Sequence, residues 1–93
     1  MTAFNVVRFK VKAGMEDAFL NAHRDIAQSW VGMRDANIIK TGDGRYCLVA
    51  EWESLEVMAS SRPAMIETLN SFRQTLDDLG SGLGVTDAVA GSV

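Results

Sequence analysis

Within Gly44-Arg-Tyr-Cys-Leu-Val-Ala-Glu-Trp-Glu-Ser54, the two side chains that join an aromatic body to a polar tip, Tyr46 and Trp52, stand an even number of positions apart. If the stretch is a strand, alternation puts them on one side of it, with Leu48 and Ala50 between. An indole N–H and a phenol O–H in an otherwise apolar pocket suit a flat aromatic ligand, held by stacking and one or two oriented hydrogen bonds. The plainer reading makes both of them core or rim aromatics. Asn5 falls on the inward face of an earlier strand, where an amide could hold a phenolate or a hydroperoxide; a strand-end asparagine also serves as a backbone cap. His23 is the only histidine. Its imidazole titrates near neutral pH, as a general base at a pocket mouth should, and the alternative is a histidine at the solvent edge of a helix.

Other chemistries find little support. Cys47 is mid-strand with no histidine near it in sequence, and reads as a small core residue. One His and one Cys cannot build a structural zinc site, so no metal is expected, and no phosphate loop or Asp-rich calcium loop occurs. Asp77-Asp78 reads as a solvated helix end. The glycines of Gly82-Leu-Gly-Val-Thr-Asp-Ala-Val-Ala-Gly91 follow a helix instead of joining strand to helix, which leaves a nucleotide site unsupported.

The elements that must position these residues come in two similar halves. From Phe4 to Lys12 the odd positions Asn5, Val7, Phe9 and Val11 form one face and Val6, Arg8, Lys10 and Lys12 the other, which is strand one. After Ala13-Gly14, Met15, Ala18, Phe19, Ala22, Ile26 and Trp30 recur at helical spacing with Glu16 and Asp17 in the first turn, and Val31-Gly32 ends this first helix. Asn37–Thr41 is a short second strand, and Thr41–Gly44 a hairpin turn into the third. Ser54 suits an N-cap for a short helix through Leu55 and Met58, and Pro63 restarts helical geometry. Met65, Leu69, Phe72, Leu76 and Leu79 then mark a second main helix that Gly80 stops. The tail 80–93 is Gly-rich, with Val85 to Val93 able to form a weak edge strand or an extended arm.

A chain of 93 residues is read as one domain spanning 1–93, and its 47% hydrophobic and 23% charged residues are those of an ordinary globule. Nine Lys and Arg against twelve Asp and Glu give a net charge of -3 without a basic run interleaved with aromatics, so neither nucleic acid nor an anionic membrane is expected as a partner. No apolar run approaches the ~20 residues of a membrane span. A single cysteine and a start without signal-peptide character predict a cytoplasmic location.

The order β-α-β-β-α with a possible last β predicts an α+β, ferredoxin-like antiparallel sheet with strands one and three at its centre and two helices on one face. The helices leave the side bearing Val6, Cys47 and Val49 bare. A second copy is the available cover, so a homodimer with its sheets face to face is expected, the alternative being a wet open face. Arg8 and Glu51 share that side and are expected to pair.

The run Val6-Val-Arg-Phe-Lys-Val-Lys-Ala-Gly14 before an acidic helix start, then Ala50-Glu-Trp-Glu-Ser54 leading to a short helix, a proline and a second amphipathic helix, resembles the antibiotic biosynthesis monooxygenase family of the dimeric α/β barrel superfamily. The resemblance covers roughly Phe4 to Leu79. It implies cofactor-free oxygenation of quinols and polyphenols, although a subset degrades haem and other members are isomerases. Trp52 matches the family's strand-three tryptophan. Val7 stands where haem-degrading members carry an asparagine. Several relatives have a histidine in the proline segment where this chain has Ala64, and its second main helix offers none as a haem ligand, so haem degradation is not implied.

Two readings remain open from sequence. One is a cofactor-independent oxygenase of small aromatic substrates using Trp52, Asn5, Tyr46 and His23. The other is a non-catalytic dimeric module that binds a small apolar ligand or only itself. An enclosed cavity lined by Trp52, Tyr46 and Asn5 and reached by His23 would favour the first, and a packed core there the second.

Overall fold

The computed structural model describes residues 1–24, 30–80, 82 and 84–93, so Ile26 of the expected first helix lies outside the described residues. Strand β1 (Ala3–Val11) is followed by α1 (Glu16–Arg24), β2 (Met33–Gly42), β3 (Arg45–Trp52), α2 (Leu55–Ser60), α3 (Arg62–Phe72), a 3₁₀ turn (Arg73–Thr75), β4 (Leu76–Asp77) and β5 (Asp87–Ser92). The sheet is antiparallel throughout, in the order β2-β3-β1, and β1's remaining edge is shared by β4 at Lys10–Val11 and β5 at Ala3–Arg8. This is the expected ferredoxin-like arrangement, with β1 and β3 at the centre. No helix among the described residues is long and apolar enough to cross a membrane.

Alternation in β1 buries Ala3, Asn5, Phe9 and Val11 beneath the helices. In β3 it sends Tyr46, Ala50 and Trp52 the same way, all at 5% exposure or less. The apolar side chains beneath the helices gather into two clusters. Phe9, Val11, Phe19, Tyr46, Phe72 and Leu76 form one, and Ala50, Trp52 and Met58 the other. On the opposite side, register pairs Val6 with Val49 and Arg8 with Cys47.

Two local signals act as the sequence suggests. The Ser54 hydroxyl accepts the Val57 N–H at 3.1 Å, capping α2. Asp43 and Gly44 turn β2 into β3, with Gly44 at φ 67.

Three expectations are corrected. The second main helix ends at Phe72, not at Gly80: the Lys12 N–H donates to the Thr75 carbonyl at 2.8 Å, and Leu76, spaced as a helical core residue, is buried as a strand beside Val11. A bond to the sheet edge outweighs continuation of the helix. Strand β2 begins at Met33, four residues before the apolar Asn37–Thr41 run, because an edge strand accepts the polar Arg34 and Asp35. Arg8 and Glu51 do share a side, but Arg8 opposes Cys47 while Glu51 opposes Phe4, four residues along the strand. Arg8 instead lies 4.0 Å from Asp87 and Glu51 lies 3.7 Å from Arg34.

Gly32, at φ 85, leads into β2 and accepts the Glu53 N–H through its carbonyl at 2.9 Å. A Cβ there would meet Val57 Cγ1 at 2.2 Å. Gly32→Ala is expected to cost about 3 kcal/mol, about 1 for left-handed backbone and about 2 for displacing Val57. Gly80 has φ 84 and nothing within 4 Å of such a Cβ, which isolates the backbone contribution; Gly80→Ala should cost only about 1 kcal/mol. Denaturant unfolding of both variants checks the difference, and equal losses would mean that Val57 yields freely.

Candidate functional site

A cavity of about 430 Å³ lies between the two apolar clusters. Asn5, Val7 and Phe9 of β1 and Leu48 of β3 form its floor; Met65, Leu69 and Phe72 of α3 form one wall. Ala88 and Ala90 of β5 form part of the other wall, opposite Val7 and Asn5 in register, and these small side chains leave the space open. His23 and Trp30 also line it, and its surface is overwhelmingly apolar.

Asn5 is 4% exposed, and its Oδ1 accepts the Trp52 indole N–H at 2.7 Å. Because the indole nitrogen only donates, this bond fixes the amide orientation and leaves the NH₂ as the group able to donate to an occupant. Trp52 itself is fully buried and lies behind the lining, stacked at 6.0 Å and 18° on Trp30, which does reach the cavity. The expected contact from Trp52 to a ligand is therefore corrected: its N–H positions Asn5.

His23 comes from α1, one turn after Phe19, whose carbonyl accepts from Nδ1 at 2.9 Å. The carbonyl can only accept, so Nδ1 carries the proton and Nε2 keeps a free lone pair in the neutral ring. Phe9, Phe19 and Phe72 surround the ring at centroid distances of 5.7, 4.5 and 4.4 Å. Burial against them holds the imidazole below its ordinary pKa, the Phe19 carbonyl opposing this more weakly. That direction favours the neutral ring at pH 7.

Along β1, Asn5 and Phe9 are four residues apart, about 13 Å of strand. His23 packs at the Phe9 end, which places base and amide at opposite ends of the cavity, separated by on the order of 10 Å. An occupant touching both has to be long and flat.

Tyr46 is not brought to this cavity. It is 5% exposed, and its hydroxyl donates to Glu16 Oε2 at 2.5 Å, with Lys40 Nζ 3.6 Å from the same carboxylate. The bond from Tyr46, then the Lys40 charge, holds Glu16 below the usual carboxylate range, while the bond to Glu16 and burial raise the Tyr46 phenol. This group ties the start of α1 to β2 and β3. Of the four residues expected to share a site, the structure thus brings Asn5 and His23 to one cavity, with Trp52 behind Asn5 and Tyr46 apart.

Trp30, Arg62, Ala88 and Ala90 line the cavity without a site signal of their own in the sequence. The alternation of small residues over Ala88–Ala90 was the available signal for the wall, but it sits in a glycine-rich tail. Among the described residues no group of three His, Cys, Asp or Glu side chains could hold a metal.

No protein family's sequence profile matches the chain, and none of the curated proteins matches it. Solved structures do. A conserved protein of Methanosarcina mazei Go1 superposes with a TM-score of 0.79 at 14% identity, covering 99% of this chain and 92% of its own. A Nitrosomonas europaea protein provisionally described as an antibiotic biosynthesis monooxygenase gives 0.78 at 14% identity, covering 99% and 89%. A mutant of SnoaB, a cofactor-independent oxygenase of Streptomyces nogalater, gives 0.69 at 15% identity over 99% and 92%. At these identities the shared property is the fold.

Trp52→Phe leaves the Asn5 carbonyl buried without its donor and opens space where the indole was. It is expected to cost about 3 kcal/mol of stability. Replacing both partners, with Asn5→Leu added, should cost less than the sum of the two single losses, by about 1 kcal/mol or more in a double-mutant cycle. Additive losses would show that the bond contributes nothing of its own.

Proposed function

We propose that this protein belongs to the antibiotic biosynthesis monooxygenase family and oxygenates a flat, conjugated quinol or polyphenol without a cofactor. The observation that carries the reading is the pairing, in one apolar cavity, of an imidazole whose Nε2 has no partner among the described residues and an amide whose NH₂ is aimed by Trp52. The likeness to SnoaB supports it.

His23 takes the proton of a substrate phenol. The charge spreads through the fused rings to a carbon near Asn5, which gives one electron to dioxygen. The substrate radical and superoxide couple into a C–O bond, the peroxide is protonated, and loss of water leaves a carbonyl. A ring C–H of the phenol thereby becomes C=O and the phenol a quinone: that hydrogen and the phenolic proton leave with one oxygen atom as water, the other oxygen atom stays in the product, and dioxygen is the only oxidant. Asn5 donates to the forming peroxide, Trp52 is a positioning residue, and the apolar walls exclude water. Tyr46, committed to Glu16, takes no part.

The second reading, a ligand-binding module without chemistry, is favoured by the packing of Trp52 and Tyr46: both are buried outside the cavity lining, with the Trp52 N–H and Tyr46 O–H used by internal partners. Oxygen uptake separates the two. Wild-type protein is expected to consume dioxygen with a polycyclic quinol, at a rate that falls in acid below the ordinary imidazole pKa of about 6.5, where His23 gains its proton, and that is flat through neutrality. His23→Gln should lose on the order of 100-fold in turnover together with that acid limb, with little change in affinity. No uptake across a broad quinol and polyphenol panel would leave the module.

The assembly proposed with this reading is a homodimer through the sheet side bearing Val6, Cys47 and Val49. Val6 and Val49 are direct cross-strand neighbours, both half-buried in one copy, and they form the apolar part of that side; Cys47, next along it, is already buried within one copy, opposite the exposed Arg8. Val49→Asp, which would bring an unpaired charge into the contact, is expected to shift light scattering toward the monomer. A wild-type mass near 10.1 kDa at micromolar concentration would overturn the dimer.

A further inference from the structure

Arg62 opens α3 and lines the cavity together with Met58, Met65 and Ile66, at the end away from His23. It is the one permanent cation among the described lining residues, and no carboxylate of the described residues lies within ion-pair distance of it. Helix electrostatics do not account for it either. The first turn of a helix favours anions, and Arg62 puts a positive charge there with no acidic residue in the turn to offset it. Arg62 is exposed, and its guanidinium at the rim of an apolar cavity presents a planar fork that matches a carboxylate in two parallel hydrogen bonds. The chain as a whole carries a net charge of -3, which disfavours an anionic ligand unless a local cation offsets it.

We infer that Arg62 selects aromatic ligands that carry a carboxylate, so that the cavity accepts a flat molecule with a phenol directed to His23 and an acid group at the opposite end. The inference rests on the aromatic-ligand reading given above. It adds a requirement which that reading does not contain: charge on the ligand at a defined distance from the phenol.

The test compares 6-hydroxy-2-naphthoate with 2-naphthol by titration calorimetry. Wild-type protein is expected to bind the carboxylate about fivefold more tightly, the upper value of one charge pair at an exposed site. In Arg62→Gln that advantage should disappear, and Arg62→Lys, which keeps the charge without the fork, should retain only part of it. The wild-type preference should also shrink as sodium chloride is raised, which needs no variant to fold. Equal affinities for the two compounds in wild-type protein, a preference that survives Arg62→Gln, or binding of neither compound would each overturn the inference. Oxygen uptake is read in the same samples. Preferential binding of the carboxylate with no oxygen consumed by any phenol would sink the oxygenase reading and leave anion selection standing.

Discussion

The hydrogen bond from Trp52 Nε1 to Asn5 Oδ1 joins the two central strands from beneath the helices, and the rest of the cavity is arranged around it. Asn5 opposes Ala50, while Trp52 opposes Ala3, so the bond runs diagonally between non-partners on one sheet face. A buried asparagine is unfavourable unless its polar atoms find partners, and the indole is large enough to supply one while filling the space under α2. The bond thereby satisfies the carbonyl, leaves the NH₂ available, and locks both rotamers. Trp30 stacks on the far face of the indole, so the orientation of one amide depends on an aromatic pair.

The cavity exists because the apolar residues beneath the helices divide into two clusters and do not close over the middle of the sheet. Phe9, Phe19, Phe72 and His23 fill one end with edge-on and tilted rings, and Trp52, Met58 and Met65 fill the other. Between them β1 and β5 present Val7, Ala88 and Ala90, which are too small to reach α3. An apolar surface left open in this way costs stability that burial of a ligand would return, at about 25 cal/mol per Å² covered. Shape and lining both favour an aromatic occupant over a hydrated one.

How much of this was legible in the sequence follows from which interactions are local. Alternation in β1 and β3, the Asp43-Gly44 turn and the Ser54 cap depend on neighbours within a few residues, and each reads directly from the chain. Leu76 satisfied a helical stripe and a strand equally well, and the bond from Lys12 to Thr75, which decides between them, joins residues far apart in sequence. The site was half legible for the same reason. Parity placed Asn5, Tyr46 and Trp52 under the helices, but not the partners of their polar atoms: Glu16 for Tyr46 and Asn5 for Trp52 come from other elements. The wall made by β5 is not legible in the chain because its small residues matter through the space they leave.

The burial of His23 sets a condition on the substrate. A simple phenol has a pKa near 10, and an imidazole held below about 6.5 accepts its proton uphill by roughly 5 kcal/mol or more. The three phenylalanine rings that favour the neutral ring also surround the resulting imidazolium with apolar faces, and among the described residues no carboxylate pairs with it, so the described surroundings of His23 do not offset the cost. It has to be offset in the substrate anion. Extended conjugation does this by spreading charge over several rings, and the separation of His23 from Asn5 lets that charge be met at the far end by the amide NH₂. A single-ring phenol would reach only one of the two groups and keep its negative charge beside the apolar end. The placement of the base and the amide therefore disfavours small phenols through proton-transfer energy as well as through fit, and directs the proposed chemistry to polycyclic ones.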